Sequence, residues 1–498
     1  MKIIIHNKLV YIETNDKELI KRISLLFSYA VQGAFFSPQY RAGRWDGRIR
    51  LLNKRNLSFN IGLLFRLLKW LELEKIEYEL EDTRKIDGKI NTDYLMEDKI
   101  LYDDIKLRKY QLDAIKSFLK YRFNLPLTRG IFNLPPRSGK TLLTGALGLV
   151  LDKYPLLFIV HKIDLAYQTK EVFEKLYNKK IGIVGDGKFI INSDVIVSTI
   201  QSIYRTVESS VFDFGKNFVG EVIEKDIDNK QKEKFKEIIS RVRTVISDEC
   251  HVSSSDTWQK LPKYLESIEY GIGCTGTPFR EDGAELLVEQ LWGNVIYDLP
   301  RDIAVKENHI LPMKIYFIHL PLITVDKFDW QSQKKQGLNE NKYLINAVEK
   351  IVKRSERKNM SSVIMVREKS QGNKIQKRLG CSYLHGGVDG EERMKVYNLL
   401  NKKRIKTIVS TVTDIGVNIP SLDNVIIAGL SKSKVLAFQR IRCGTPFEGK
   451  KYGNMFILCP NIDTGKEKNY LRNHWKRLMN IYKKEKTFQI KEINYKEL

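Results

Sequence analysis

Apolar positions along this 498-residue chain recur with two different periods, and the period changes near residue 96. Before that point, short apolar runs at residues 3–5 and 9–12 read as strands. A helix is expected over residues 16–30, because Leu19, Ile20, Ile23, Leu26 and Phe27 fall on one face at helical spacing. Asp46-Gly47 stands among alternating residues and predicts a hairpin turn. After residue 96, continuous apolar runs alternate with helical stretches: 130–133, 156–160, 194–198, 243–247 and 271–275, then 311–318, 362–366, 407–410 and 424–428. Strands covered by helices on both faces lose the in–out alternation, so this pattern predicts parallel α/β sheets. The expected organisation is a small α+β domain (1–95), a first α/β domain (96–305), a second (306–465) and a basic, aromatic tail (466–498) forming a helix packed on the second. Residues 205–243 are charged and irregular, as an insertion or a helical excursion would be.

Charge changes the picture most. Lys and Arg number 85 against 60 Asp and Glu, a formal net charge of +25, which points to a polyanionic partner and first of all to nucleic acid. From Arg41 to Arg55 six basic residues face one acid, Asp46, with Tyr40 and Trp45 between them. Arginine beside stackable rings suits phosphate contact with base stacking, so Arg44, Trp45 and Arg48 are candidate DNA contacts. No apolar stretch is long enough to span a bilayer, and the start of the chain reads as a first strand and not as a signal peptide. Five dispersed cysteines without a C-x-x-C pair suit a reducing cytoplasm and exclude a disulfide framework or a structural zinc site. A monomer without membrane attachment is expected.

The candidate chemistry begins at Leu134-Pro135-Pro136-Arg137-Ser138-Gly139-Lys140-Thr141, set between an apolar run and a helix-forming stretch. Strand, tight loop and helix start form the context in which backbone N–H groups and the positive helix end hold a phosphate. Lys140 would reach the β- and γ-phosphates of ATP, and the Thr141 hydroxyl would sit on Mg²⁺. Its counterpart is Asp248-Glu249-Cys250-His251 after the run 243–247, an acidic pair at a strand's carboxyl end.

The order of these and further motifs over residues 105–460 resembles the superfamily 2 helicases and translocases. That resemblance implies two tandem RecA-like domains that sandwich ATP. By the match, Gln111 with Arg108 forms the adenine-reading motif, and Arg137, Ser138, Gly139, Lys140 and Thr141 form the phosphate loop. Asp248 would hold Mg²⁺ through water, Glu249 would position and deprotonate the attacking water, and His251 would couple to Gln439. Thr275-Gly276-Thr277 corresponds to the motif linking hydrolysis to strand movement. His161, Lys162, Thr199, Gln201, Ser202, His385, Gly386, Thr411 and Thr413 match loops on the phosphodiester backbone, while Gly416 and Asn418 match a further nucleotide-side motif. The chain departs from the family at Leu134 and Arg137, and again where Cys443 and Pro446 replace two arginines; Arg442 is the arginine-finger candidate and Arg440 its alternative.

The stretch 43–51 is similar to that of UvsW-type phage helicases, which join a small N-terminal DNA-binding domain to two RecA-like lobes. That likeness implies action on branched or forked DNA, with single-stranded DNA as a further ligand: fork reversal, Holliday-junction migration, and unwinding of D-loops and R-loops. An RNA helicase or a duplex translocase without unwinding shares the same motifs. A nucleotide-switched DNA-binding module is the remaining alternative, motivated by Cys443 and Pro446. A nuclease is not indicated, since no separate cluster of acids and lysines exists outside these motifs.

Overall fold

The computed structural model describes residues 1–86, 88–125, 127–208, 229–276, 284–326, 329–411, 419–429, 450–465 and 467–498. The main division of the chain falls between Leu299 and Pro300.

The N-terminal sheet has the strand order Ser58–Asn60, Leu9–Glu13, Lys2–Ile5, Glu79–Asp82, antiparallel except for the last pair. Strict alternation buries Ile3, Ile5, Val10 and Ile12 on one face. Two helices cover that face. Lys17–Leu26 starts where the Asp16 carboxylate accepts from the backbone N–H groups of Glu18 (2.9 Å) and Leu19 (3.0 Å). Leu64–Leu73 contributes Leu64, Leu67 and Leu71. A two-stranded ribbon, Ser28–Ala30 against Arg48–Arg50, stands apart from this sheet. The Asp46-Gly47 pair is therefore not a two-residue turn between flanking strands. Gly47, at φ +75°, closes a longer excursion over residues 31–47 through a hydrogen bond from Val31 N–H to its carbonyl.

This domain is fused to the next by packing and charge. Its core includes Leu127 and Leu286 of the following α/β layer. Arg66 donates to both oxygens of Glu289, and Asn60 donates to the Gln290 side chain at 3.0 Å. Gly62 lies so close to the backbone carbonyls of Glu289 and Gln290 that a Cβ there would come within 2.2 and 2.6 Å. Arg129 is buried and spans the join, donating to the carbonyls of Glu269 (2.7 Å), Thr128 (3.1 Å) and Asn7 (3.0 Å). Burial pulls its guanidinium pKa down, yet it stays cationic at neutral pH.

The first α/β sheet contains, among the described residues, eight strands: Lys188–Ile190, Gly182–Gly185, Val195–Thr199, Leu156–Val160, Thr244–Asp248, Tyr270–Thr275, Arg129–Asn133 and Val295–Asp298, in that spatial order. All neighbours run parallel except the first pair. The carboxyl ends of Arg129–Asn133, Thr244–Asp248 and Tyr270–Thr275 thus share one edge, where open α/β sheets place their sites.

The second sheet is parallel throughout, in the order Ser382–Leu384, Thr407–Ser410, Ser361–Met365, Leu422–Ile427, Gly453–Asp463, Met313–Thr324, Phe488–Asn494. The fold is accordingly α/β with two RecA-like parallel sheets behind a small α+β domain. The tail is more than the expected helix: Tyr470–Lys483 is helical, but Phe488–Asn494 adds an edge strand beside Met313–Thr324. Phe488 and Ile490 stand two apart on one face, but Glu492 follows them and Ile493 falls on the other face, so the alternation that marks a strand is broken. Among the described residues no helix is long and apolar enough to cross a membrane.

The close approach at Gly62 gives a first prediction. Gly62→Ala should lower stability by about 1–3 kcal/mol by overpacking rigid backbone, and should make the N-terminal domain more sensitive to limited proteolysis. Melting and cleavage profiles like those of the unaltered protein would refute the tight join at Gly62.

Candidate functional site

The site grows from three strand ends. Leu134 N–H donates to the Thr275 carbonyl at 2.8 Å, so the loop leaves the sheet beside the strand that carries Thr275. Arg137 at φ +74° and Gly139 at φ +75° both occupy the left-handed region. That conformation favours glycine, so Arg137 holds a strained turn where the usual loop pattern would relieve it. The helix Lys140–Leu151 then begins with no side-chain cap, leaving the backbone N–H groups of its first turn directed at the loop. Buried Gln111 braces this start: its Oε1 accepts from Arg108 N–H (2.9 Å) and its Nε2 donates to the Gly139 carbonyl (3.1 Å). Gln111 thus bonds the loop directly.

Lys140 Nζ lies 3.3 Å from Glu249 Oε1, with both side chains largely buried. Glu249, at φ +50°, follows Asp248 at the strand end, and its N–H donates to Asp248 Oδ1 at 2.9 Å. His251 is 2 % exposed; its Nδ1 stands 2.9 Å from Thr275 Oγ1 and 3.3 Å from Glu249 Oε2. Lys140, Glu249, His251 and Thr275 therefore form one connected cluster. The contact of His251 with Thr275 was not anticipated, since the family resemblance implies a pairing of His251 with Gln439; its signal in the sequence is the position of Thr275 at the end of the neighbouring strand.

The electrostatics separate the two acids. Burial and the adjacent Glu249 charge push Asp248 up to about 6, against the opposing Lys140. Burial would also raise Glu249, but the Lys140 ammonium and the His251 ring outweigh it, with a smaller contribution from His161, and hold it well below the usual carboxylate range. The same carboxylates raise Lys140 against its own desolvation. Such a site offers an anion cradle, a fixed cation, an ionised carboxylate and a second acid for a hard metal. Among the described residues no group of three or more His, Cys, Asp or Glu could cage a metal by itself. One carboxylate and a hydroxyl such as Thr141 suit Mg²⁺, which is commonly held by few protein oxygens together with the phosphates of its substrate.

The remaining candidates are placed unequally. His161 and Lys162 follow the strand Leu156–Val160 on the same edge, and Lys162 opens the helix Ile163–Tyr177. Thr199 and Ser202 are buried and bound to each other: Thr199 Oγ1 accepts from Ser202 N–H (3.1 Å) and donates to its Oγ (2.9 Å). They cap the helix Ile200–Val207, so only Gln201 of that trio is exposed for an outside ligand. In the second sheet His385, Gly386 and Thr411 gather at the carboxyl edge, where Thr411 N–H donates to the Leu384 carbonyl and Gly387 N–H to His385 Nδ1, both at 3.0 Å. Gly276 follows the strand end at Thr275. Thr277, Thr413, Gly416, Asn418, Gln439, Arg440 and Arg442 lie outside the described residues.

In the N-terminal ribbon Arg44 is exposed, as a phosphate contact requires. Arg48 instead turns inward, its Nε and Nη2 donating to Ser28 Oγ (2.9 Å) and carbonyl (3.0 Å). Trp45 is half-buried and donates from Nε1 to the Arg48 carbonyl at 2.8 Å. Both hold the ribbon together.

Removing the Lys140 ammonium strands two buried acids, and Lys140→Ala should cost about 3 kcal/mol of stability near pH 8. A depressed carboxylate contributes stability above its unfolded pKa and loses it as pH falls. Without Lys140 burial raises Glu249 instead, so the gap between the two proteins should narrow toward pH 5. Denaturant melts at both pH values test this, and an equal gap at each would refute the pairing.

Three family models match in series along the chain: DNA helicase UvsW, N-terminal (residues 4–81), type III restriction enzyme, res subunit (104–280), and helicase conserved C-terminal domain (343–444). The ATP-dependent DNA helicase uvsW of Enterobacteria phage T4 is 23% identical over 449 residues, covering 83% of this chain and 81% of that protein. The DNA 3'-5' translocase XPB2 of Sulfurisphaera tokodaii is 25% identical over 427 residues, covering 75% and 88%. Among solved structures, S. cerevisiae Dbp5 bound to RNA and ADP BeF3 aligns with a TM-score of 0.55 at 16% identity, over 78% of this chain and 90% of that one, a likeness of fold. With an N-terminal helicase domain and two helicase-core matches laid over two RecA-like sheets, the chain carries the domains of an ATP-dependent superfamily 2 helicase and resembles the UvsW type.

Proposed function

We propose that the protein is a DNA helicase that uses ATP hydrolysis to remodel branched or forked DNA. The observation that carries the hydrolytic half is the buried cluster of Lys140, Glu249, His251 and Thr275 beside Asp248, at the mouth of an uncapped helix start. In this reading the loop from Arg137 to Thr141 cradles the phosphates, and Lys140 exchanges its bond to Glu249 for the β- and γ-phosphate oxygens. Glu249, released and ionised, accepts the proton of the attacking water. His251 and Thr275 hold its second oxygen in place, so that a change at Glu249 is felt along the strand bearing Thr275. Gln111 reads the base from the other side of the loop. Thr141 and Asp248 would hold Mg²⁺, which supplies positive charge to the transferring phosphoryl group. Arg442, or Arg440, is the candidate for the cation that completes this stabilisation.

The DNA half rests on charge and on the N-terminal domain. A surplus of +25 and an exposed Arg44 on a basic ribbon suit phosphate contact. Lys162, Gln201, His385, Gly386 and Thr411 stand at sheet edges where a strand can be tracked. The rigid join through Arg66, Gly62 and Arg129 fixes the ribbon relative to the first sheet, so a junction held by one is held in register with the other. Fork reversal, branch migration and unwinding of D-loops and R-loops are the activities this arrangement suits, in the cytoplasm of a host cell and as a monomer.

ATP turnover should rise with DNA, most with forks and four-way junctions, less with single strands or duplex, and least with RNA. Lys140→Ala and Glu249→Gln should each reduce turnover by about a thousandfold or more while DNA binding persists. Steady-state assays across this substrate panel decide the matter. Stimulation by RNA alone would favour an RNA helicase, and turnover absent under every condition would favour a nucleotide-switched binding module.

A further inference from the structure

Two phenylalanines in the N-terminal ribbon have no structural reason to be where they are. Phe35 is 57 % exposed and Phe36 68 %, with Tyr40 43 % exposed nearby. Their rings face one another at 4.1 Å between centroids, tilted by 39°. From Val31 to Asp46 no residue is buried, so this excursion has no core for the rings to join. Singly exposed apolar residues are ordinary, but adjacent paired rings on a coreless projection form a patch of the kind that marks a contact surface.

The excursion is nevertheless firmly braced. Ala34–Phe36 forms a short turn of helix entered from Gly33 at φ +77°, and Pro38–Arg41 a second turn behind it. Arg41 Nε donates to the Phe35 carbonyl at 3.0 Å, and Arg44 N–H donates to the Gln39 carbonyl at 2.9 Å. Gly47, at φ +75°, packs closely, because a Cβ there would stand 3.0 Å from the Tyr40 ring and 3.1 Å from Ala34. Arg50 pairs with Asp46, the one acid of the region, and neutralises it. The excursion's remaining charge is cationic: Arg41 and Arg44. A fixed aromatic pair on a projection that also carries two exposed arginines matches an unstacked nucleobase with its flanking phosphates, since stacking is sequence-tolerant and the phosphates supply the charge. Apolar rings pressed against a base step also unstack it.

We propose that Phe35 and Phe36 form the stacking wedge that engages the first unpaired bases at a DNA branch point. This rests on the reading of the N-terminal domain as a DNA contact. It assigns the fork preference to the aromatic pair, and the general affinity to the arginines.

The full chain is titrated against blunt duplex and against a fork carrying 2-aminopurine at its first unpaired position. Phe35→Ala/Phe36→Ala should melt like the unaltered protein, lose the 2-aminopurine fluorescence change, and lower the fork-over-duplex preference about tenfold. Phe35→Trp/Phe36→Trp should restore both, while Phe35→Leu/Phe36→Leu should not. An unchanged preference and fluorescence signal in the alanine pair, or full rescue by leucine, overturns the wedge. Arg44→Ala/Arg55→Ala separates the two readings. If it weakens binding to fork and duplex alike while the alanine pair behaves as wild type, the wedge alone fails. If neither variant alters DNA binding, the DNA-contact reading of the domain fails with it.

Discussion

Asp248 and Glu249 are neighbours in sequence at the end of a buried strand, and two adjacent carboxylates cannot both stay ionised there without a counter-charge. Lys140 is that charge, and it reaches them because the loop and its strand emerge next to Thr275 on the same edge. The order of the central strands, the left-handed turns at Arg137 and Glu249 and the placement of Gln111 all serve this meeting. The ion pair is also a resting state that a phosphate can take over, since the ammonium gives up one anion for another at little electrostatic cost. The acids differ because Glu249 has Lys140 and His251, whereas Asp248 meets burial and its neighbour's charge.

The second organising constraint is rigidity between the N-terminal domain and the first sheet. A shared core, a bidentate Arg66–Glu289 pair and the buried Arg129 make one body of elements that the sequence presents as two domains. Buried guanidinium bonded to three carbonyls is poorly replaceable, since no other side chain offers five donors in a fixed fork. A motor needs such stiffness wherever force developed at one site is to act on a ligand held at another.

Much of this was legible in the sequence, for physical reasons that differ between elements. Continuous apolar runs marked the parallel strands because helices on both faces remove alternation, and strand-loop-helix context located Lys140 and Asp248 without the usual glycines. The ribbon was legible only as charge: Arg48 and Trp45 looked like ligands of DNA, yet they spend their donors on Ser28 and on the Arg48 carbonyl. Thr199 and Ser202 likewise matched a strand-holding loop while bonding each other as a helix cap. Hydrogen bonds between residues distant or oddly spaced in the chain leave no periodic trace. The edge strand Phe488–Asn494 escaped for a related reason, because its partner lies far away in the chain.

That partner, Met313–Thr324, has an awkward position in time. Its two neighbours in the sheet are Gly453–Asp463 and Phe488–Asn494, so it has no strand to bond until well over a hundred further residues have been made. The first α/β sheet, in contrast, draws all its strands from residues 129–298 and can close while the rest is still being synthesised. During translation the exposed twelve-residue strand is therefore the segment most open to mispairing. Lys314 and His319 break its apolar run, as the polar residues that discourage mispairing of hydrophobic strands do.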